Sequence, residues 1–241
     1  MGITLAKRQL LLTLSLVFVS CATVSNEKEI KDRSYQLYSE RHIDYSSWKR
    51  SPDCCVVRGI NMAVASGGTF SSKAGLEVAR LGGNVIDVAV ATAFSLAVER
   101  PHSAGIGGGG FMTIHFGSQN RKEAENHFID FREAAPGKAR RDMYLDGNGN
   151  VVPQLSVRGA LSVATPAFVP GLYAVHKRWG KLAWKKLLEP AIRLSEEGFP
   201  VYPSLAEKIN KHKDCLIKED YTRRLFFRAD ERGIGAGELL V

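Results

Sequence analysis

Arg132 and Glu133 stand side by side after Ile129-Asp130-Phe131, at the mouth of a segment that reads as a buried strand. A guanidinium in that place needs an anion. Asp130 and Glu133 are close enough in sequence to neutralise it as a structural ion pair. Its planar fork of donors also suits the carboxylate of a small substrate, held through two parallel hydrogen bonds. Residue types and spacing leave both uses open.

Other segments carry weaker chemistry. Gly105-Ile106-Gly107-Gly108-Gly109-Gly110-Phe111 is rich enough in glycine to cradle a phosphate. A phosphate loop, however, follows a strand and opens a helix, and this run follows a helical pattern and precedes a strand-like one, with no GK[ST]. The run is therefore assigned to architecture, as positive φ angles or close backbone approach at the entry to a strand. Thr113-Ile114-His115-Phe116 lies inside that strand and reads as strand residues. The six histidines form no HExxH pattern, and Cys54, Cys55 and Cys215 show no ligand spacing, so no metal is expected and at most one disulfide is allowed.

The elements that must position Arg132 follow from periodicity. Asn61 to Ser66 is a short apolar run ending in Gly67-Gly68 and is expected as a first strand. Ser71 and Ser72 are candidate caps for a helix through Leu81, stopped by Gly82-Gly83. Asn84 and Asp87 can cap the next helix, whose stretch from Val85 to Val98 is apolar on nearly every side and is expected at the centre of the fold, ending at Pro101. Phe111 to Phe116 and Phe128 to Phe131, joined by polar residues 117 to 127, predict an antiparallel hairpin that carries Arg132 to a strand end. Residues 137 to 145 suggest a short basic helix and Asp146 to Asn150 a turn. Helices are expected over Val169 to Trp179, Trp184 to Glu197 and Pro203 to Lys213, the first two closed by Gly180 and Gly198. The layout is that of a layered α/β domain.

With 241 residues, 44% hydrophobic and 24% charged, the chain has the composition of a globular protein with room for a full core. Its formal charge of +8 permits an anionic partner such as a membrane surface. Its basic residues are scattered, with no aromatic-basic signature, so no nucleic-acid partner is expected. Lys7 and Arg8 precede a ten-residue apolar run, Leu10 to Val19, too short to span a bilayer, and Ser20-Cys21 follows. Residues 1–21 are thus expected to be an export signal, with lipid attachment at Cys21 or plain cleavage as its two outcomes. The expected location is the cell envelope or periplasm. Residues 22–59 are polar and are expected to tether residues 60–241, the folded part.

Taken together, Gly82-Gly83-Asn84 with Asp87, Ser103 to Phe111, Asp130-Phe131-Arg132-Glu133 with Ala135-Pro136, Thr165-Pro166 with Pro170-Gly171, and Pro190 to Pro203 resemble the large-subunit region of γ-glutamyltranspeptidases. The likeness runs from about residue 60 to the C-terminus, and Val85-Ile86 departs from the usual pattern only in packing. The resemblance implies an N-terminal-nucleophile hydrolase with an αββα sandwich, of which this chain holds the large-subunit part. It implies a precursor cut into two subunits, with no cofactor. The threonine freed on the small subunit attacks the γ-glutamyl amide of glutathione or a related compound, its own amine serving as base. Carried over to this sequence, the arginine that holds the substrate's α-carboxylate is Arg132, with Glu133 as its orienter.

The resemblance places that threonine, in a Thr-Thr-His-like or Thr-Ser-His-like motif, well over a hundred residues beyond Val241, so no catalytic residue is expected in this chain. Three outcomes are compatible with this. The chain is the N-terminal part of a γ-glutamyltransferase or glutathione hydrolase, parted from its small subunit by truncation, a frameshift or separate encoding, and inactive alone. Otherwise it is a noncatalytic envelope lipoprotein using the scaffold for binding, or a related acylase with another amide substrate.

Overall fold

A computed structural model of the chain describes residues 59, 61–118 and 122–241. The expected leader, Cys21, Cys54, Cys55 and all of the tether except Gly59 lie outside the described residues. Met62 and Val64 pack on the core, and burial alternates along residues 61–66 as in a strand. No described strand lies beside this segment to share a ladder, so it is not a strand, contrary to expectation.

Helix α1, Thr69–Arg80, starts before its expected caps. Ser71 and Ser72 lie within its first turn with their hydroxyls bonded to Ser66, so neither caps it. A distant carboxylate does: Glu99, buried at the end of α2, accepts from Phe70 N at 3.2 Å and Ser71 N at 2.8 Å. An acid at a helix N-terminus also complements the helix dipole, which no local sequence pattern could reveal.

Helix α2, Val85–Glu99, begins with the predicted reciprocal cap, Asn84 accepting from Asp87 N and Asp87 returning a bond to Asn84 N at 2.9 Å. It packs against α1, α3 and α4, which makes it the centre of the helical layer. Strands β1, Gly110–Phe116, and β2, Glu125–Phe131, pair antiparallel with Gly110 opposite Phe131 and Phe116 opposite Glu125. The hairpin is as predicted, with β2 beginning three residues earlier. Its inner face, including Ile114, Ile129 and Phe131, joins Val78, Val90, Phe94, Leu172, Val175 and Leu187 in one core. Each fully buried leucine there contributes roughly 1.5–3 kcal/mol.

Helices α3, Phe168–Trp179, and α4, Trp184–Glu197, fall where predicted, and Gly198 closes α4 at φ 76°, a left-handed conformation that favours glycine. Strand β3, Phe199–Pro200, leads to α5, Pro203–Lys211, which stops two residues short of expectation. Short helices α6, Lys213–Leu216, and α7, Asp220–Phe226, follow, and strand β4, Leu239–Leu240, pairs with β3. They enclose a second core of Phe70, Leu194, Phe199, Leu205, Ile209, Phe227 and Ile234. Cys215 is a half-buried free thiol.

Residues 137–145 form turns, not the expected basic helix. The segment has few apolar side chains to bury, and three like charges, Lys138, Arg140 and Arg141, all exposed. The turn at Asp146 is as expected, its carboxylate accepting from Asn148 N and Asn150 N at 2.9 Å each. Those bonds hold the Asp146 carboxyl below its ordinary value.

Near the C-terminus, Arg228 and Arg232 converge on Glu238, which also accepts from Gly235 N. The hydrogen bond from Arg232 and then that from Gly235 N lower the Glu238 carboxyl from 4.5 to about 2. A depressed carboxylate stabilises the fold in full above its unfolded value and loses that contribution as pH falls through its folded one. Glu238→Gln is therefore expected to melt at lower temperature than wild type at neutral pH, with the gap closing between pH 4.5 and about 2. A gap independent of pH would contradict this.

Candidate functional site

Arg132 leaves β2 one residue past the end of the ladder, as predicted. Its own N–H donates to Asp130 Oδ1 at 2.9 Å, so the aspartate is engaged by backbone and not by the guanidinium. Glu133 approaches the guanidinium, with Oε2 at 3.1 Å from Arg132 Nη2. That oxygen is nonetheless buried without a directed hydrogen bond, so the contact is charge proximity without N–H alignment. The Arg132 side chain is 55% exposed and the Glu133 side chain 21%. The guanidinium also lies 5.8 Å from the centroid of Phe111, whose ring stacks on Phe128 across the hairpin. The arrangement is a planar cation braced by a ring on one side and a half-buried carboxylate on another, with donors open to solvent. It can bind a carboxylate.

The glycine run sits directly behind this group. A Cβ on Gly109 would fall on the Phe131 carbonyl oxygen and 2.9 Å from both Arg132 Cα and Glu133 N. Close approach is thus the part of the glycine expectation that the structure uses, since none of Gly105 to Gly110 has positive φ. Gly108 O accepts from Ala167 N and Phe168 N at 2.9 and 2.8 Å, and Ala134 exchanges bonds with Thr165. The glycine run, the Arg132 segment and the Thr165-Pro166 segment, scattered in sequence, therefore meet at one place. Gly109→Ala is expected to cost roughly 1–3 kcal/mol through overpacking and to shift the Arg132 backbone. A thermal melt and a structure of the variant check it, and an unchanged melting temperature would contradict it.

Sequence reasoning missed Phe111 as the ring under Arg132, although the register that places Phe111 opposite Asp130 would have revealed it. Thr113 is an exposed strand residue paired with Phe128, in agreement with its assignment. An open apolar groove of about 480 Å³ runs beside Gly105 to Gly107, lined by Phe94, Pro101, Ile106, Leu188 and Ile192, and does not include Arg132. Among the described residues no group of three or more His, Cys, Asp or Glu is placed to hold a metal ion.

A helical layer on one face of an antiparallel hairpin is part of the α/β fold of N-terminal-nucleophile hydrolases. The crystal structure of Helicobacter pylori gamma-glutamyltranspeptidase superposes with a TM-score of 0.71 at 36% identity, covering 77% of this chain and 52% of that one. Cephalosporin acylase from Bacillus halodurans superposes with a TM-score of 0.57 at 28% identity, over 70% of this chain and 31% of that one.

The chain belongs to the gamma-glutamyltranspeptidase family, whose sequence profile matches residues 71–241. It is 45% identical over 139 residues to the glutathione hydrolase proenzyme of Pseudomonas aeruginosa, covering 58% of this chain and 24% of that protein. This chain therefore spans about a quarter of that relative.

Proposed function

We propose that this chain supplies the carboxylate-holding wall of a γ-glutamyltransferase or glutathione hydrolase. The observation that carries the proposal is the Arg132 side chain, 55% exposed and backed by the glycine run, within a chain of this family. Arg132 grips the α-carboxylate of a γ-glutamyl compound such as glutathione, and the buried Glu133 oxygen fixes the guanidinium by charge. A threonine of the small subunit attacks the γ-glutamyl carbonyl and expels the amine, giving an acyl-enzyme. Water, or the amine of an amino acid or peptide, then takes the γ-glutamyl group. Attachment to a membrane through Cys21 and an envelope location complete the proposal.

The purified 241 residues alone are expected to release no aniline from a γ-glutamyl anilide, because Thr113, with its amine locked in a peptide bond in mid-strand, cannot act as an N-terminal nucleophile. Turnover by the isolated chain would overturn the division of labour. A second possibility, an acylase acting on another amide, is supported by the likeness to cephalosporin acylase. Reconstituted with a nucleophile-bearing subunit, a γ-glutamyl enzyme prefers γ-glutamyl anilide over anilides of acids lacking the α-carboxylate, and an acylase does not.

A further inference from the structure

Four helix ends meet on one side of the helical layer. Asn84 Nδ2 donates to Trp179 O at 2.6 Å, and Asp87 accepts from Lys181 N at 3.0 Å and Leu182 N at 3.2 Å. A Cβ on Gly82 would lie 4.0 Å from Lys181 Nζ. These contacts gather Arg80 from the last turn of α1, Lys177 and Arg178 from the last turn of α3, Lys181 from the link and Lys185 from the first turn of α4. All five are exposed.

Among the described residues none of the five forms an ion pair with a carboxylate, and the nearby acids are engaged elsewhere. Glu77 is 2.5 Å from Arg193, Glu189 is 3.0 Å from Lys186, Glu125 is 3.1 Å from His127, and Asp87 is buried. The helix dipole accounts for Arg80, Lys177 and Arg178, since cations are favourable at the C-terminal ends of α1 and α3. It opposes Lys185, which opens α4 at its positive end in a first turn without an acid. Structural economy does not explain that placement, and an external anion does.

Leu81 and Val85 stand on the same side, 56% and 54% exposed. Arg178 lies 4.3 Å from the ring of Trp179, a half-buried indole at the edge of the patch. Cations interspersed with exposed aliphatic side chains and flanked by an indole match the headgroup region of an anionic bilayer, where charge attracts and apolar tips insert. A soluble polyanion would use the charges and leave the aliphatic side chains without a partner. We propose that this basic, apolar-studded end of the helical layer docks on a membrane of anionic phospholipid, independently of any anchor at Cys21.

The test uses the full chain carrying Cys21→Ser, floated with vesicles of phosphatidylcholine alone or mixed with phosphatidylglycerol. Binding is expected on the mixed vesicles and is expected to be lost in high salt. Replacing Lys177, Arg178, Lys181 and Lys185 with glutamate is expected to weaken partition onto the mixed vesicles about a thousandfold or more, from about 1 kcal/mol for each of the four cations lost at an anionic surface. The same four changed to glutamine, which remove charge without reversing it, should weaken it in the same direction at an unchanged melting temperature. Reversal at Lys138, Arg141, Lys211 and Lys218, which are exposed elsewhere, should change it less than about threefold. Three results would overturn the proposal: equal flotation on phosphatidylcholine alone, equal losses for both sets of reversals, or binding to heparin without flotation.

Discussion

Replacing Arg132 with alanine, in the chain reconstituted with a nucleophile-bearing subunit, is expected to lower kcat/KM for a γ-glutamyl anilide roughly 30- to 1,000-fold. The range corresponds to about 2–4 kcal/mol for one bidentate, charge-assisted pair lost from a partly exposed site. Most of the loss is expected in KM, because the α-carboxylate is gripped equally before and during attack on the distant γ-carbonyl. Lysine at 132 should recover only part, as a point charge cannot reproduce the fork. Glu133→Gln should act through Arg132 alone and change kcat/KM by less than Arg132→Ala does. Steady-state kinetics of the three variants checks the order, and equal parameters for wild type and Arg132→Ala would return Arg132 to the structural ion pair with Glu133 3.1 Å away.

Asp87→Ala is expected to be the most damaging single change to the fold, costing roughly 3–5 kcal/mol. The side chain is fully buried, and its two oxygens accept from the backbone N–H groups of Asn84, Lys181 and Leu182 at 2.9 to 3.2 Å. Alanine strands all three donors and detaches the α3–α4 link from the start of α2. Asn84→Ala removes only the cap and the bond to Trp179 O, and should cost about 1–2 kcal/mol. Denaturant melts measure both. A loss for Asp87→Ala no larger than for Asn84→Ala would show that the carboxylate acts only as a helix cap.

Where a feature was local in sequence, it was legible. Asn84 and Asp87 announced their cap three residues apart, Gly180 and Gly198 marked the ends of α3 and α4, and alternating apolar residues gave the β1–β2 hairpin. Features made by distant residues were not. The Glu99 carboxylate caps α1 from 28 residues along the chain, so Ser71 and Ser72 drew the cap assignment that Glu99 fulfils. Residues 61–66 alternate in burial like a strand, but a strand needs a neighbour, and neighbours are not written in a six-residue window. Arg132 itself was legible from the company it keeps, whereas its bracing by Phe111 came only with the register.

Arg132 is proposed to recognise one functional group, the α-carboxylate of the γ-glutamyl donor. A cycle of two enzymes and two substrates isolates that contact. Wild type and Arg132→Ala, each reconstituted with the nucleophile-bearing subunit, are assayed on γ-glutamyl anilide and on the 4-aminobutyryl anilide that lacks the α-carboxylate. The substitution is expected to cost roughly 30-fold or more on the first substrate and less than about threefold on the second. An equal loss on both substrates would mean that Arg132 supports the architecture and does not bind the carboxylate.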